Sequence, residues 1–138
     1  MREILFRGKR LDNEKWVEGH LVVCKNNGRS FITELIEVDE DSWLYWEVNP
    51  NTVGQYTGLT DKNGNKIFEG DIIRCNNRVE VYIGLVDWDI CNPSMCIRYT
   101  SEKGFDHIEY DFIICGNMTI EILGNIHDNP ELMKGGRK

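Results

Sequence analysis

The chain has 138 residues, 41% hydrophobic and 28% charged, with a formal net charge of −7. This is ordinary globular composition, enough for one core or two small lobes, and no window approaches the ~20 apolar residues of a membrane-spanning helix. An acidic chain repels phosphate backbones, which counts against a general nucleic-acid binder. The charge is uneven, however: residues 1–29 hold seven Lys/Arg against four acids, a net +3, while residues 30–138 carry a net −10. Met1-Arg2-Glu3 runs directly into the alternating Ile4-Leu5-Phe6-Arg7, without the charged-then-apolar order of a signal segment. The expectation is an untargeted cytoplasmic protein with no membrane partner.

Strand patterns dominate from the start. Lys15–Cys24 alternates Val17, Gly19, Leu21 and Val23 with Trp16, Glu18, His20 and Val22. Phe31–Val38 places Ile32, Ile36 and Val38 on one face with Glu34, and Trp43–Val48 sets Leu44, Trp46 and Val48 opposite Trp43, Tyr45 and Glu47. Period-2 alternation rich in β-branched and aromatic residues predicts half-buried antiparallel strands. Asp12-Asn13, Asn26-Asn27-Gly28 and Asp39-Glu40-Asp41-Ser42 supply the turns between them. Pro50, flanked by Asn49 and Asn51, disfavours a continuing central strand. The predicted division is an N-terminal β lobe over 1–50 and a barrel-like lobe over 51–133, with a single shared core as the alternative.

In the second half Asn63-Gly64 predicts a tight turn, because both positions tolerate positive φ. Glu69-Gly70-Asp71 makes another turn, and Ile72-Ile73-Arg74-Cys75 follows as a short strand. Asn76-Asn77 closes a hairpin onto Arg78–Trp88, where Gly84 is expected to permit a bend or bulge. Met95–Tyr99, Ile108–Ile114 and Thr119–Leu123 complete the strands, and short strands at this spacing predict a small barrel. Asp128 or Asn129 as cap, with Pro130 in the first helical position, predicts a helical turn over Glu131-Leu132-Met133. The basic tail Lys134–Lys138 is expected to fray. No segment sustains helical periodicity over three turns, which excludes wound α/β folds. The predicted class is all-β.

Catalytic chemistry is not legible. Gly54, Gly58, Gly64 and Gly70 lack the spacing of a phosphate loop and read as turn glycines. The five cysteines are an odd number and read as reduced thiols, with Cys24, Cys75 and Cys115 as small buried hydrophobes. Cys91 and Cys96 offer two thiolates, but His107 and His127 do not form a matching second pair, so no metal site is predicted. No cysteine sits at a recognisable helix N-terminus that would activate it as a nucleophile. The cluster Glu34, Glu37, Asp39, Glu40, Asp41 lacks the spacing of a calcium loop, and nothing selects a carboxylate pair for glycoside cleavage. No catalytic residue and no cofactor are predicted. What remains is a surface: basic Arg7, Lys9 and Arg10 together with Trp16, Trp43 and Tyr45. Large aromatics in small β proteins more often fill a core or subunit interface than stack on a ligand; exposed, they mark an interaction surface.

Three runs carry a family resemblance. Val53-Gly54-Gln55-Tyr56-Thr57-Gly58-Leu59-Thr60-Asp61-Lys62-Asn63-Gly64-Asn65-Lys66-Ile67-Phe68-Glu69-Gly70-Asp71-Ile72-Ile73 resembles the hallmark of the YopX-like family of small phage and prophage proteins. Phe6-Arg7-Gly8-Lys9-Arg10 with Trp16-Val17-Glu18-Gly19 is similar to its opening pattern, and Ile120 through Leu132 to its ending. The resemblance implies an all-β fold with an SH3-type barrel and a phage or prophage origin. It brings no established activity and therefore no catalytic residues. The stretch from Arg78 to Phe112 matches least. Two functions compete. One is a non-enzymatic accessory protein that binds a host or phage protein, or assembles as a homo-oligomer. The other is a nucleic-acid-binding module in which Arg7, Lys9 and Arg10 contact phosphates and Trp16 stacks on a base.

Overall fold

The computed structural model, which describes residues 4–35, 43–76, 81–89, 94–100, 106–109 and 119–135, is built of antiparallel strands in two sheets. The chain separates into two units, Met1–Tyr56 and Thr57–Lys138. The all-β expectation holds. The predicted strand segments at 36–38, 78–80 and 110–114, the acidic cluster beyond Glu34, and Cys91 and Cys115 lie outside the described residues.

In the first unit, β1 (Phe6–Lys9), β2 (Trp16–Val23), β3 (Ser30–Leu35), β4 (Trp43–Val48) and the start of β5 (Gly54–Thr60) take the order β4-β3-β2-β1-β5. The register pairs Gly8 with Val17, Leu21 with Ile32 and Ser30 with Val48, so one face gathers Gly8, Gly19, Ser30, Ile32 and Val48, all buried. Directly opposed residues in an antiparallel pair share a face, which is why alternation in each strand becomes one buried surface. Packing there is close. A Cβ added at Gly8 would lie 3.0 Å from the Val48 side chain, and one at Gly19 would run into the Thr33 carbonyl. The edge strand β4 comes back to the end of β1: Arg10 bridges Val48, the Asn49 N–H donates to the Lys9 carbonyl at 2.8 Å, and the Leu11 N–H donates to that of Glu47 at 3.1 Å. Pro50 starts a 3-10 turn, Pro50–Thr52, capped by the Asn49 side chain. The buried Thr52 hydroxyl accepts the Lys9 N–H at 2.9 Å and donates to the Asn49 carbonyl at 2.6 Å.

In the second unit, β5 ends in a hairpin to β6 (Lys66–Phe68); the turn falls at Asn63-Gly64 as expected, but only Gly64 takes a positive φ, +85°, and the Asp61 N–H donates to the Asn65 carbonyl to close the loop. β7 (Asp71–Asn76), β8 (Val81–Asp89), β9 (Ser94–Thr100), β10 (Asp106–Glu109) and β11 (Thr119–Asn125) form a sheet in the order β10-β9-β8-β7-β11. Its core joins Ile67, Ile73, Cys75, Tyr82, Val86, Met95, Ile97 and Ile120, with Leu59 and Ile122 packed against them. The helix α1 spans Glu131–Gly135 and so takes in two residues of the basic tail.

Two expectations are corrected here. The predicted SH3-type, barrel-like lobe does not close into a barrel among the described residues: β10 and β11 are the two edges of an open order and do not pair. Closure needs the first and last strands to meet at a fixed stagger, which strand spacing in a sequence does not encode. Gly84 makes no bulge either. It is buried and in unbroken register with Ile73 and Tyr99, while the register shift falls between Ile122 and Gly124 in β11. A Cβ at Gly124 would collide with the Asn129 side chain, so the glycine at the bulge makes room for the turn that follows.

Candidate interaction face of the first unit

Because buried and open positions alternate, the other face of the first sheet carries Arg7 and Lys9 from β1, Trp16, Glu18, His20 and Val22 from β2, Phe31 and Thr33 from β3, and Tyr45 and Glu47 from β4. These side chains form a row. The Arg7 guanidinium stands over the Trp16 ring at 4.7 Å from its centroid, and the Lys9 ammonium lies 5.8 Å from the same centroid. Farther along, the Arg29 guanidinium lies 5.4 Å from the Phe31 centroid and grips Glu47 with two hydrogen bonds of 3.0 and 2.5 Å. Phe31 meets Tyr45 edge-on, with centroids 6.0 Å apart. Tyr45 is 65% exposed and Val22 47% exposed.

The electrostatics of the row are paired. The hydrogen-bonded Arg29 guanidinium holds the Glu47 carboxyl below its ordinary range, and Glu47 in turn raises Arg29. Cations resting on aromatic faces gain about 0.5–1 kcal/mol each at exposed sites. The outcome is an amphipathic surface of aromatic rings and compensated charge.

Of the six residues singled out from the sequence, Arg7, Lys9 and Trp16 come together, and Tyr45 stands on the same face. Arg10 does not join them. One position beyond Lys9, it turns to the opposite side, where its guanidinium lies 5.6 Å from the Trp46 centroid and binds Asp12 at 2.9 and 2.5 Å. Asp12 is held below its ordinary range first by that hydrogen bond. The backbone of Trp43 pairs with Leu35, and its side chain lies outside what is described. Sequence reasoning missed Arg29, Phe31 and Glu47. Their grouping depends on the cross-strand register Val22–Phe31–Glu47, which no single strand reveals.

The second unit holds the motif residues, and their geometry is structural. Asp61, buried at the start of the Asn-Gly hairpin, accepts the N–H groups of Asn63 at 2.9 Å and Asn65 at 2.8 Å, the Asn65 amide at 3.3 Å and the Ile122 N–H at 3.4 Å. Burial opposes its ionisation, but these donors outweigh it and hold the carboxyl below its ordinary range. Asp71, also buried, accepts the Phe68 N–H at 2.7 Å across the Glu69-Gly70 turn. Asn125 accepts the N–H groups of His127 and Asp128, while the Asn129 side chain accepts the Asn125 N–H. The family model described as YopX protein matches residues 5–134. The chain belongs to the YopX family. The hairpin and ending that resemble the YopX hallmarks are thus those whose side chains tie backbone to backbone. Among curated proteins no relative matches. A crystal structure of protein EF1440 from Enterococcus faecalis is similar over 96% of this chain and 99% of that one, at 22% identity and a TM-score of 0.46.

Among the described residues, no three His, Cys, Asp or Glu side chains gather as a metal would require, and no helix is long and apolar enough to cross a membrane. Cys75 and Cys96 are buried and Cys24 is half-buried, none of the three in a disulfide.

Proposed function

We propose that this YopX protein is a phage- or prophage-encoded accessory protein that acts without catalysis, docking a host or phage protein on the open face of its first unit. The observation that carries this reading is the row Arg7–Trp16 and Arg29–Phe31–Tyr45, with Tyr45 65% exposed. Aromatic rings and arginines are the residues in which binding energy concentrates at protein interfaces. The nucleic-acid reading has less support. Arg7 already covers a face of Trp16 that a base would need, Arg10 points to the other side, and Glu47 neutralises Arg29. The place of action in this reading is the bacterial cytoplasm.

The test is a nuclease-treated pull-down from bacterial lysate, comparing the wild-type chain with Tyr45→Ser. A stoichiometric protein retained by the wild type and lost by the variant is expected. Retention of nucleic acid that salt removes would overturn the reading in favour of phosphate binding. Equal protein capture by both chains would move the interface off this face.

A further inference from the structure

A second feature lies in the Thr57–Lys138 unit. A half-open hollow of about 300 Å³ is lined by Lys62, Arg74, Asn76, Val81, Thr119 and Glu121. The sheet register builds it: Asn76 pairs with both Val81 and Thr119, and Arg74 pairs with Glu121 in the next row but one, so these side chains share a face of β7, β8 and β11. Lys62 comes from the Asn-Gly hairpin. Its N–H donates to the Ile120 carbonyl at 2.9 Å, and neighbouring Asp61 accepts from Ile122, so the hairpin is pinned to β11 beside Glu121.

The charge here runs against the unit as a whole. Thr57–Lys138 holds nine Lys/Arg against thirteen Asp/Glu, yet among the described residues the hollow is lined by two cations and one carboxylate. Both cations converge on a single oxygen, Glu121 Oε2, Lys62 at 3.0 Å and Arg74 at 2.6 Å. One carboxylate cannot neutralise two cations. Each keeps further N–H donors beyond the one it gives to Glu121, because an ammonium carries three and a guanidinium five. The Thr119 hydroxyl and Asn76 amide add polar groups, and Val81, 60% exposed, offers an apolar wall.

We propose that this hollow binds a small organic anion, with a phosphate monoester group against Lys62 and Arg74 and an apolar body against Val81. Its volume is at the lower end of small-ligand pockets. The surrounding negative charge selects for compactness: a long polyanion would meet the acidic remainder of the unit, whereas a single phosphate meets only the local excess of positive charge. Arginine beside lysine is suited to phosphate, the first through directed N–H groups and the second as a point charge.

The experiment is an amide chemical-shift titration of the full chain with phenyl phosphate, with inorganic phosphate and chloride run at matched ionic strength. Saturable shifts confined to the residues around Lys62, Arg74, Asn76, Thr119 and Glu121 are expected with phenyl phosphate, weaker ones with inorganic phosphate, and none with chloride. Arg74→Gln should weaken phenyl phosphate about tenfold, the loss of one charge-assisted hydrogen bond. Glu121→Gln removes the competing carboxylate and should tighten it several-fold. Shifts that do not saturate, that chloride reproduces, or that neither substitution alters would overturn the proposal. If Arg74→Gln loses the native amide spectrum, Lys62→Gln on the exposed hairpin takes its place.

Discussion

In the first unit the charged side chains stand outside, laid over aromatic rings or paired with each other, and the buried face holds glycines, Ser30, Ile32 and Val48. In the second unit two carboxylates, Asp61 and Asp71, are turned inward to receive backbone N–H groups beside a connected apolar core. A charge laid on a ring at the sheet surface binds by a weak, non-directional contact, so it can be exchanged for one to a partner. A buried carboxylate that accepts several amides is committed to the fold, because removing it strands every donor it satisfied. The hallmark runs of the family fall largely in the second class. Their residue types specify turns, which is why they suggest no chemistry.

The largest expected effect tests that commitment. Asp61→Ala strands the N–H groups of Asn63, Asn65 and Ile122 and should cost about 3–4 kcal/mol, read as a lowered urea midpoint. A loss below about 1 kcal/mol would make the hairpin self-sufficient and remove Asp61 from the frame. Gly19→Ala is the counterpart in the first unit, where the new Cβ would meet the Thr33 carbonyl carbon at 2.9 Å as well as its oxygen. Backbone in a paired strand cannot yield cheaply, so about 3 kcal/mol of destabilisation is expected.

The pH dependence sharpens the same contrast. Asp61 has a folded-state pKa below the ordinary 3.8, so it binds a proton less readily folded than unfolded. Its contribution is therefore complete above the unfolded value and is lost as pH falls from about 4 through the folded value. Urea midpoints measured between neutral pH and pH 3 should fall for the wild type and fall less for Asp61→Asn. Equal slopes would assign the acid sensitivity to other carboxylates.

How much of this was legible depends on whether a feature is local. Trp43–Val48 is a strand where its alternation says so, and the turn expected at Asn63-Gly64 is present, with Gly64 alone at positive φ. Gly84 misled because a glycine inside a strand has two explanations, a bulge or close packing, and here it is buried in regular register. The barrel misled because closure is a relation between edges. Arg10 misled because it adjoins Lys9 in sequence, whereas a strand sends adjacent residues to opposite faces. The hollow around Glu121 escaped altogether, since its lining residues come from four separate strands or turns and share no spacing.

On the open face, Trp16→Ala removes the ring beneath Arg7 and Lys9 and should cost about 1–2 kcal/mol through lost cation–π and packing contacts. Arg29→Gln should have the smallest effect of all on folding. Arg29 is 53% exposed, and its pair with Glu47 competes with water and with the entropy of a long side chain. Its small shift in urea midpoint should vanish in molar salt, where a charge pair is screened. The same substitution should nevertheless weaken capture of a protein partner, because it frees Glu47 and takes the cation off Phe31. Unchanged capture with a large loss of stability would reverse the assignment, making Arg29 part of the fold and not of the surface. Both quantities come from one purified variant, so the two roles separate without reference to any other position.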